Sequence, residues 1–440
     1  MKQLWNTDSE TSKLKELTNQ FTVGKDYLYD LEMLPYDIQA SKVHAEGLET
    51  IGVLTKDELK QLQEGLDEIM DLWKQEKLVI TVEQEDCHTA IEQYLTEHYG
   101  EVGKKIHTGR SRNDQVLVMQ RLYMRDMLEQ VFFLNKLLVH KFLEFSKTYE
   151  FVPMPGYTHT QRAMLMSVGM WSSSLAEMLL LHLPTLKSAH TLVNKSPLGS
   201  AAGFGVGFEL PREENAAKLG FDGCLQISLT SQHSRGRFEA TTVSALADLG
   251  ATLAHFANDL VFFTSSEFDF FEIHPDLCTG SSIMPQKHNV DPAEIMRAKQ
   301  AEIVGAESTL RMMTTNLISG YHRDRQLTKE PLMKSFDNIH EMLEMTGALI
   351  ENIKPKEQNL RAKCTKELFA ADQANELVKK GMSFREAYSV VKKELNETDS
   401  NDSFSDEVLN QNLRSKTHLG ATGNLGLDIL QKEVKNSTIK

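Results

Sequence analysis

The chain has 440 residues, 40% of them hydrophobic and 25% charged, a balance that fits a folded globular protein and excludes a disordered one. Its net charge of -14 argues against a general binder of nucleic acid or anionic membrane, because the far field repels polyanions. A small anionic substrate is compatible with that charge only through a local basic pocket.

The first 20 residues hold no apolar run long enough for a signal peptide. MLLLHL, at residues 178–183, is too short to cross a membrane. The cytoplasm is therefore the expected compartment. Cys87, Cys224, Cys278 and Cys364 form no CxxC pair, which reads as free thiols in a reducing compartment, with no disulfide framework and no zinc site. KLVITVE (residues 77–83) is the best strand-like alternation, and a simple connector is the alternative. EQEDCHTAIEQYL (83–95) brings carboxylates to Cys87 and His88. It lacks a second His or Cys at ligand spacing, so no metal is expected there. A first domain boundary is expected in the polar, Gly-containing stretch 97–105.

KIHTGRSRNDQV (105–116) then places two arginines, Ser111, Asn113 and Asp114 around a glycine, just before a long helical pattern. Free N–H groups at a helix start attract anions, and arginine binds carboxylates through two parallel bonds. A solvated N-cap with scattered charges is the plainer alternative. Residues 115–150 repeat apolar side chains at helical spacing. PMPGYTHTQRA (153–163) follows as a turn bearing Thr158 and His159; a histidine suits proton transfer near neutrality, although a lone one is often a surface or capping residue.

Helical patterns resume at 167–186 and 237–268. Between them, SPLGSAAGFGVGFELPR (196–212) is Gly-rich but follows no strand, so it is not a dinucleotide fingerprint. GSSIMPQKHN (280–289) interrupts the next two helical stretches with flexible Gly280, Ser281 and Ser282, an apolar Met284 suited to anchoring in a pocket, and Lys287 and Asn289. Lys and Asn together can hold a carboxylate whose charge grows during a reaction; an ordinary connecting loop is the alternative. A helix is expected over 292–317, with Asp291 as N-cap and Pro292 in its first turn. It ends in SGYHRDRQLTKEPL (319–332), where Tyr321, Gln326 and Lys329 sit in a basic cluster that a helix C-terminus would attract anyway. A second boundary is expected near 351–359, and a polar loop at 394–407. The wide apolar stripes predict an all-α protein with a long central bundle, buried by neighbours within the chain or across subunits.

GSSIMPQKHNVDPAE resembles the signature loop of the fumarase/aspartase superfamily. HTGRSRNDQV, PGYTHTQRA, EDCHTAIE and YHRDRQLTKE narrow the resemblance to the argininosuccinate lyases, and it covers nearly the whole chain. It implies three largely helical domains, here 1–105, 106–355 and 356–440. It also implies a homotetramer whose active sites collect loops from three subunits, and reversible cleavage of argininosuccinate to arginine and fumarate without metal or organic cofactor. By matched position, Ser281 and His159 are the catalytic pair, Ser281 as the base that takes the carbon-bound proton and His159 on the acid side, with the opposite assignment as the alternative, and Lys287 and Asn289 meet the reacting carboxylate. Ser111, Arg112, Asn113 and Thr158 match positions that hold the succinyl carboxylates. Tyr321, Gln326 and Lys329 match positions near the arginine part.

Two stretches depart from the family pattern. The usual F-N-x-S reads FTVGKDYLYD (21–30), with altered spacing and no serine, which leaves Lys25 or a backbone N–H to replace it. The usual S-x-R-D reads HSRGRFE (233–239), with Gly236 and Arg237 where Arg and Asp are expected. Arg235 or Arg237 then takes over, and a close relative of arginine becomes a possible amino-acid end of the substrate.

Overall fold

A computed structural model describes residues 13–397 and 404–439. In chain order the elements begin with α1 (Lys13–Val23), α2 (Asp26–Thr50), α3 (Lys56–Lys74), α4 (Cys87–Lys104) and α5 (Arg112–Thr148). There follow β1 (Pro153–Thr158), β2 (Gln161–Ser167), α6 (Val168–Leu181), α7 (Leu183–Val193), α8 (Arg212–Lys218), α9 (Ser228–Ser234) and α10 (Arg237–Phe263). The rest comprises β3 (Phe271–Ile273), α11 (Asp291–Thr314), α12 (Lys329–Glu351), β4 (Ile353–Pro355), α13 (Glu357–Ala362), α14 (Ala370–Lys379), α15 (Phe384–Glu397), α16 (Asp406–Ser415) and α17 (Leu427–Asn436).

The long helices lie where apolar periodicity places them, at α5, α10 and α11. The pattern over 167–186 divides at His182 into α6 and α7. Asp291 is the first residue of α11 rather than a flanking cap. Residues 77–83 are a connector, not a strand. The all-α expectation needs one correction: two small antiparallel sheets, β1–β2 and β3–β4, accompany the helices. The polar stretch 394–407 is helical up to Glu397 and again from Asp406; its centre, 398–403, lies outside the described residues. Among the described residues no helix is long and apolar enough to cross a membrane.

The chain forms two compact units. The first comprises the described residues up to Gln130, Leu186–Leu246 and Ile303–Asp337. Ala40, Val43, Val118, Leu122, Leu198, Ala216, Leu219 and Phe221 close one of its cores, and Tyr123 makes edge contacts with Tyr36 and Phe336. A capping box starts α3: the Thr55 hydroxyl accepts from the Glu58 N–H, and the Thr55 N–H donates to the Glu58 carboxylate.

The second unit comprises Val131–Thr185, Ala247–Glu302 and the described residues from Asn338 onward. Trp171 anchors an aromatic cluster with Phe256, Phe263 and Phe271, and its indole N–H donates to Asp259 at 2.9 Å. A buried indole of this kind satisfies its one donor while the ring supplies apolar area. A smaller core of Leu165, Cys364, Leu368, Phe369, Leu409 and Leu413 seats β2 against the C-terminal helices. Phe133, Leu137, Met178 and Leu181 are exposed on α5 and α6 of this unit.

Candidate active site

The start of α5 is built around Asp114, which is fully buried. Its carboxylate accepts from the N–H of Ser111, at 2.9 Å, and from those of Gly199 and Ala201, at 3.1 and 2.9 Å. One side chain thus holds both the helix start and the Gly-rich loop. Burial raises its pKa above the usual carboxylate value, despite these three bonds. Ser111 and Asn113 are half-buried beside it, at the positive end of a 37-residue helix. The Arg112 guanidinium is engaged by its own chain, with Glu85 at 3.2 Å, Asp86 at 3.4 Å and the Thr89 hydroxyl at 2.6 Å.

Sequence reasoning did not find the polar stripe on α2. Asp30, Asp37, Ser41 and His44 are all buried on this helix, spaced so that they follow one face. Lys329, 1% exposed, donates to Asp26 at 2.9 Å and also to Asp30. Burial alone would depress the lysine pKa; the carboxylates of Asp30 and Asp26 raise it well above its ordinary value instead. Asp30 also accepts from the Cys87 N–H at 3.1 Å, while Asp37 takes the His88 Nδ1 at 2.7 Å. The 85–89 segment therefore touches both the Lys329 cluster and Arg112. Asp30, Cys87 and His88 place potential ligand atoms within 4.8 Å of one another, a grouping that sequence spacing did not reveal. Here the cation facing Asp30 is the Lys329 ammonium.

Gln326 donates to the Thr22 and Val23 carbonyls at the end of α1, at 2.9 and 3.3 Å. The Tyr321 ring lies 5.3 Å from the Arg235 guanidinium, within cation–π range. Of the two candidate replacements, Arg235 is buried and Arg237 exposed. Lys25 is exposed, and Asp26 is the side chain that reaches this cluster.

In the second unit, β1 and β2 form a hairpin in which Thr158 pairs with Gln161, so His159 and Thr160 make its tip. Both have left-handed backbones, with φ of 52° and 59°. Such a turn favours Asn-Gly, so two bulky residues there are strained. Thr158 and His159 are exposed.

The 279–289 loop is closed at its base by reciprocal Thr279 and Asn289 backbone bonds of 2.9 and 2.8 Å. Inside it, the Ser281 oxygen accepts from the Ile283 and Met284 N–H groups at 3.4 and 3.2 Å. These donors favour negative charge on that oxygen. Lys287 is exposed and helps line a cleft of about 620 Å³ with Cys278, Asp269 and Lys356. Met284 does not anchor the loop in an apolar pocket as expected; it is 38% exposed, and neighbouring Ile283 is 82% exposed. Among the described residues, no hydrogen bond joins the hairpin tip to Ser281, Lys287 or Asn289.

A family model described as "Lyase" matches residues 11–305. The chain is 39% identical to an argininosuccinate lyase of Thermotoga neapolitana over 86% of its own length and 94% of that protein. It is equally identical to one of Xanthomonas axonopodis pv. citri, over 93% and 94%. Its fold is similar to that of an EDDS lyase crystallised with formate, with a TM-score of 0.81 at 20% identity over 96% of this chain and 90% of that one. A class II fumarase from Schistosoma mansoni gives a TM-score of 0.71 at 15% identity, over 82% and 83%.

Proposed function

The chain belongs to the lyase family, and from that premise we propose that it is an argininosuccinate lyase, cleaving argininosuccinate reversibly to L-arginine and fumarate. The observation that carries this reading is the 39% identity to argininosuccinate lyases over most of both chains.

The chemistry asks for a base, a charge receptor and an acid. Ser281 takes the proton from the carbon beside the reacting carboxylate. The Ile283 and Met284 N–H groups, which already point at its oxygen, and the Lys287 ammonium make that oxygen a stronger acid and hence an available base at neutral pH. The electron pair left behind spreads into the carboxylate as an aci-carboxylate. Lys287 and Asn289 receive that charge, and one such donor is worth roughly 3–4 kcal/mol of barrier. The pair then forms the fumarate double bond as the C–N bond breaks, and His159 supplies the proton that accompanies the leaving guanidine nitrogen.

Ser111, Arg112, Asn113 and Thr158 hold the succinyl carboxylates, the first three aided by the positive end of α5. Tyr321, Gln326 and Lys329 face the arginine part. The motif-bearing segments act together in a homotetramer, each site drawing loops from three copies, with domains bounded near residues 105 and 355. The exposed Phe133, Leu137, Met178 and Leu181 support such an assembly, because helices carrying these side chains gain by burying them. No step needs a metal or organic cofactor, and the cytoplasm is the compartment that fits.

A substrate panel tests the reading. Purified protein is offered argininosuccinate and other fumarate-releasing adducts, of aspartate and of a purine. Release of fumarate from argininosuccinate alone is expected. Turnover of another adduct with argininosuccinate untouched would overturn it.

A further inference from the structure

The two stretches that depart from the family pattern meet in the cluster around Lys329. We propose that Asp26 and Arg235 form a receptor for an α-amino-acid group, Asp26 taking its ammonium and Arg235 its carboxylate, and so set the specificity for the arginine end of the substrate. This rests on the lyase reading above, whose substrate ends in such a zwitterion.

The two carboxylates on Lys329 are not equivalent. Asp30 is fully buried, and both its oxygens are used, one by Lys329 and the other by the Cys87 N–H. It neutralises the lysine. Asp26 retains 14% side-chain exposure; one oxygen takes Lys329 at 2.9 Å, and the other accepts no hydrogen bond among the described residues. Asp26 is thus the second anion on the lysine, partly exposed and with one acceptor oxygen unused among the described residues. The Thr22 and Val23 carbonyls at the end of α1, held by Gln326, add negative potential beside it. An ammonium brings both the opposite charge and several donors to this arrangement; a hydroxyl brings one donor and no charge, and an apolar group neither.

Arg235 supplies the opposite half. It is 3% exposed, and its Nε is buried with no hydrogen-bond partner among the described residues. An unmet buried donor on a guanidinium is costly, and a carboxylate is the acceptor that matches its planar fork. Its charge acts on both Asp26 and Lys329, which places it in the same cluster. The backbone explains why the arginine stands at 235. Gly236 has φ 84°, and a Cβ there would lie 2.2 Å from Thr314 Cγ2. Position 236 cannot carry a side chain, and the turn it makes leaves Arg235 inside and Arg237 outside.

The test compares three ligands by calorimetric binding to the full-length protein: arginine, agmatine, which lacks the carboxylate, and 5-guanidinopentanoate, which lacks the amino group. Asp26→Asn is expected to weaken arginine about tenfold to a hundredfold and to leave 5-guanidinopentanoate unchanged. Arg235→Gln is expected to weaken arginine by a similar factor and to leave agmatine unchanged. Asp26→Glu, which keeps the charge, is expected to recover part of the loss, and thermal melts show that each variant is folded. Equal weakening of arginine and 5-guanidinopentanoate by Asp26→Asn, or no weakening of arginine, would overturn the receptor. If arginine fails to bind the unmodified protein, the lyase reading itself fails; if it binds and the variants ignore the amino group and carboxylate, only the receptor fails.

Discussion

Lys329 Nζ lies 2.9 Å from Asp26 Oδ2, although the two residues are 303 positions apart and the lysine side chain is 1% exposed. With Asp30 as its second partner, this ammonium ties the start of α2 to the start of α12. The cluster is at once a structural clamp and one wall of the proposed site.

Removing the lysine leaves Asp30 buried without its counter-charge. Lys329→Met is therefore expected to cost about 3–5 kcal/mol of stability, the usual penalty for breaking one side of a buried pair. Asp26→Asn, at the accessible rim, is expected to cost far less. Urea unfolding of both variants checks this; a Lys329→Met protein as stable as the original would contradict the clamp.

His88 and Asp37 give a pH signature. Burial alone would lower the His88 pKa, but Asp37, 2.7 Å away, raises it above the ordinary 6.5. Burial would raise the Asp37 pKa, and the His88 charge lowers it below 3.8 instead. A raised histidine stabilises fully below its unfolded pKa and loses that contribution as pH rises through the folded one. A depressed aspartate contributes above its unfolded pKa and loses that as pH falls through the folded one. The stability gap between the original protein and His88→Asn is thus expected to be widest between the ordinary carboxylate and histidine values of 3.8 and 6.5 and to narrow as pH climbs above the latter, through the raised value of the folded histidine. Urea titrations across that range decide it, and a gap that widens toward alkaline pH would count against the pair.

The hairpin tip stores strain. Thr160 is β-branched at φ 59°, where glycine is at ease. Thr160→Gly is expected to stabilise the protein by about 1 kcal/mol, seen as a higher melting temperature. A lower one would show that the turn is held by contacts rather than strained.

Assembly is open to direct measurement. Phe133 and Leu137 are 59% and 42% exposed and lie one turn apart on α5, where they form a continuous apolar ridge. Light scattering is expected to give four times the chain mass for the original protein and a smaller species for Phe133→Asp. A monomer in both cases would remove the tetramer, and with it the sharing of loops between copies.

The long helices were legible because their apolar residues recur at 3–4 positions over many turns, a signal that tertiary context seldom overrides. The β1–β2 hairpin was not, because PMPGYTHTQRAMLMS mixes proline and glycine with too little alternation to read as paired strands. Ser281, Lys287, Asn289 and His159 stood out as polar residues grouped in short loops between apolar segments. Asp26, Asp30 and Asp37 did not. Their spacing was visible, but nothing local says that a row of acids faces inward until Lys329, His88 and Arg235 arrive from distant parts of the chain. Asp26 is no more conspicuous than Lys25 in the sequence for the same reason: its partner lies 303 residues away.

The decisive comparison mixes purified protein and its Ser281→Ala variant each with argininosuccinate while fumarate and arginine are followed together. The original protein is expected to release the two products in equal amounts. The variant is expected to bind substrate with little loss and to turn it over at least a thousandfold more slowly, roughly the scale seen when a catalytic group is removed. No products from the original protein, or near-normal turnover by Ser281→Ala, would contradict the account.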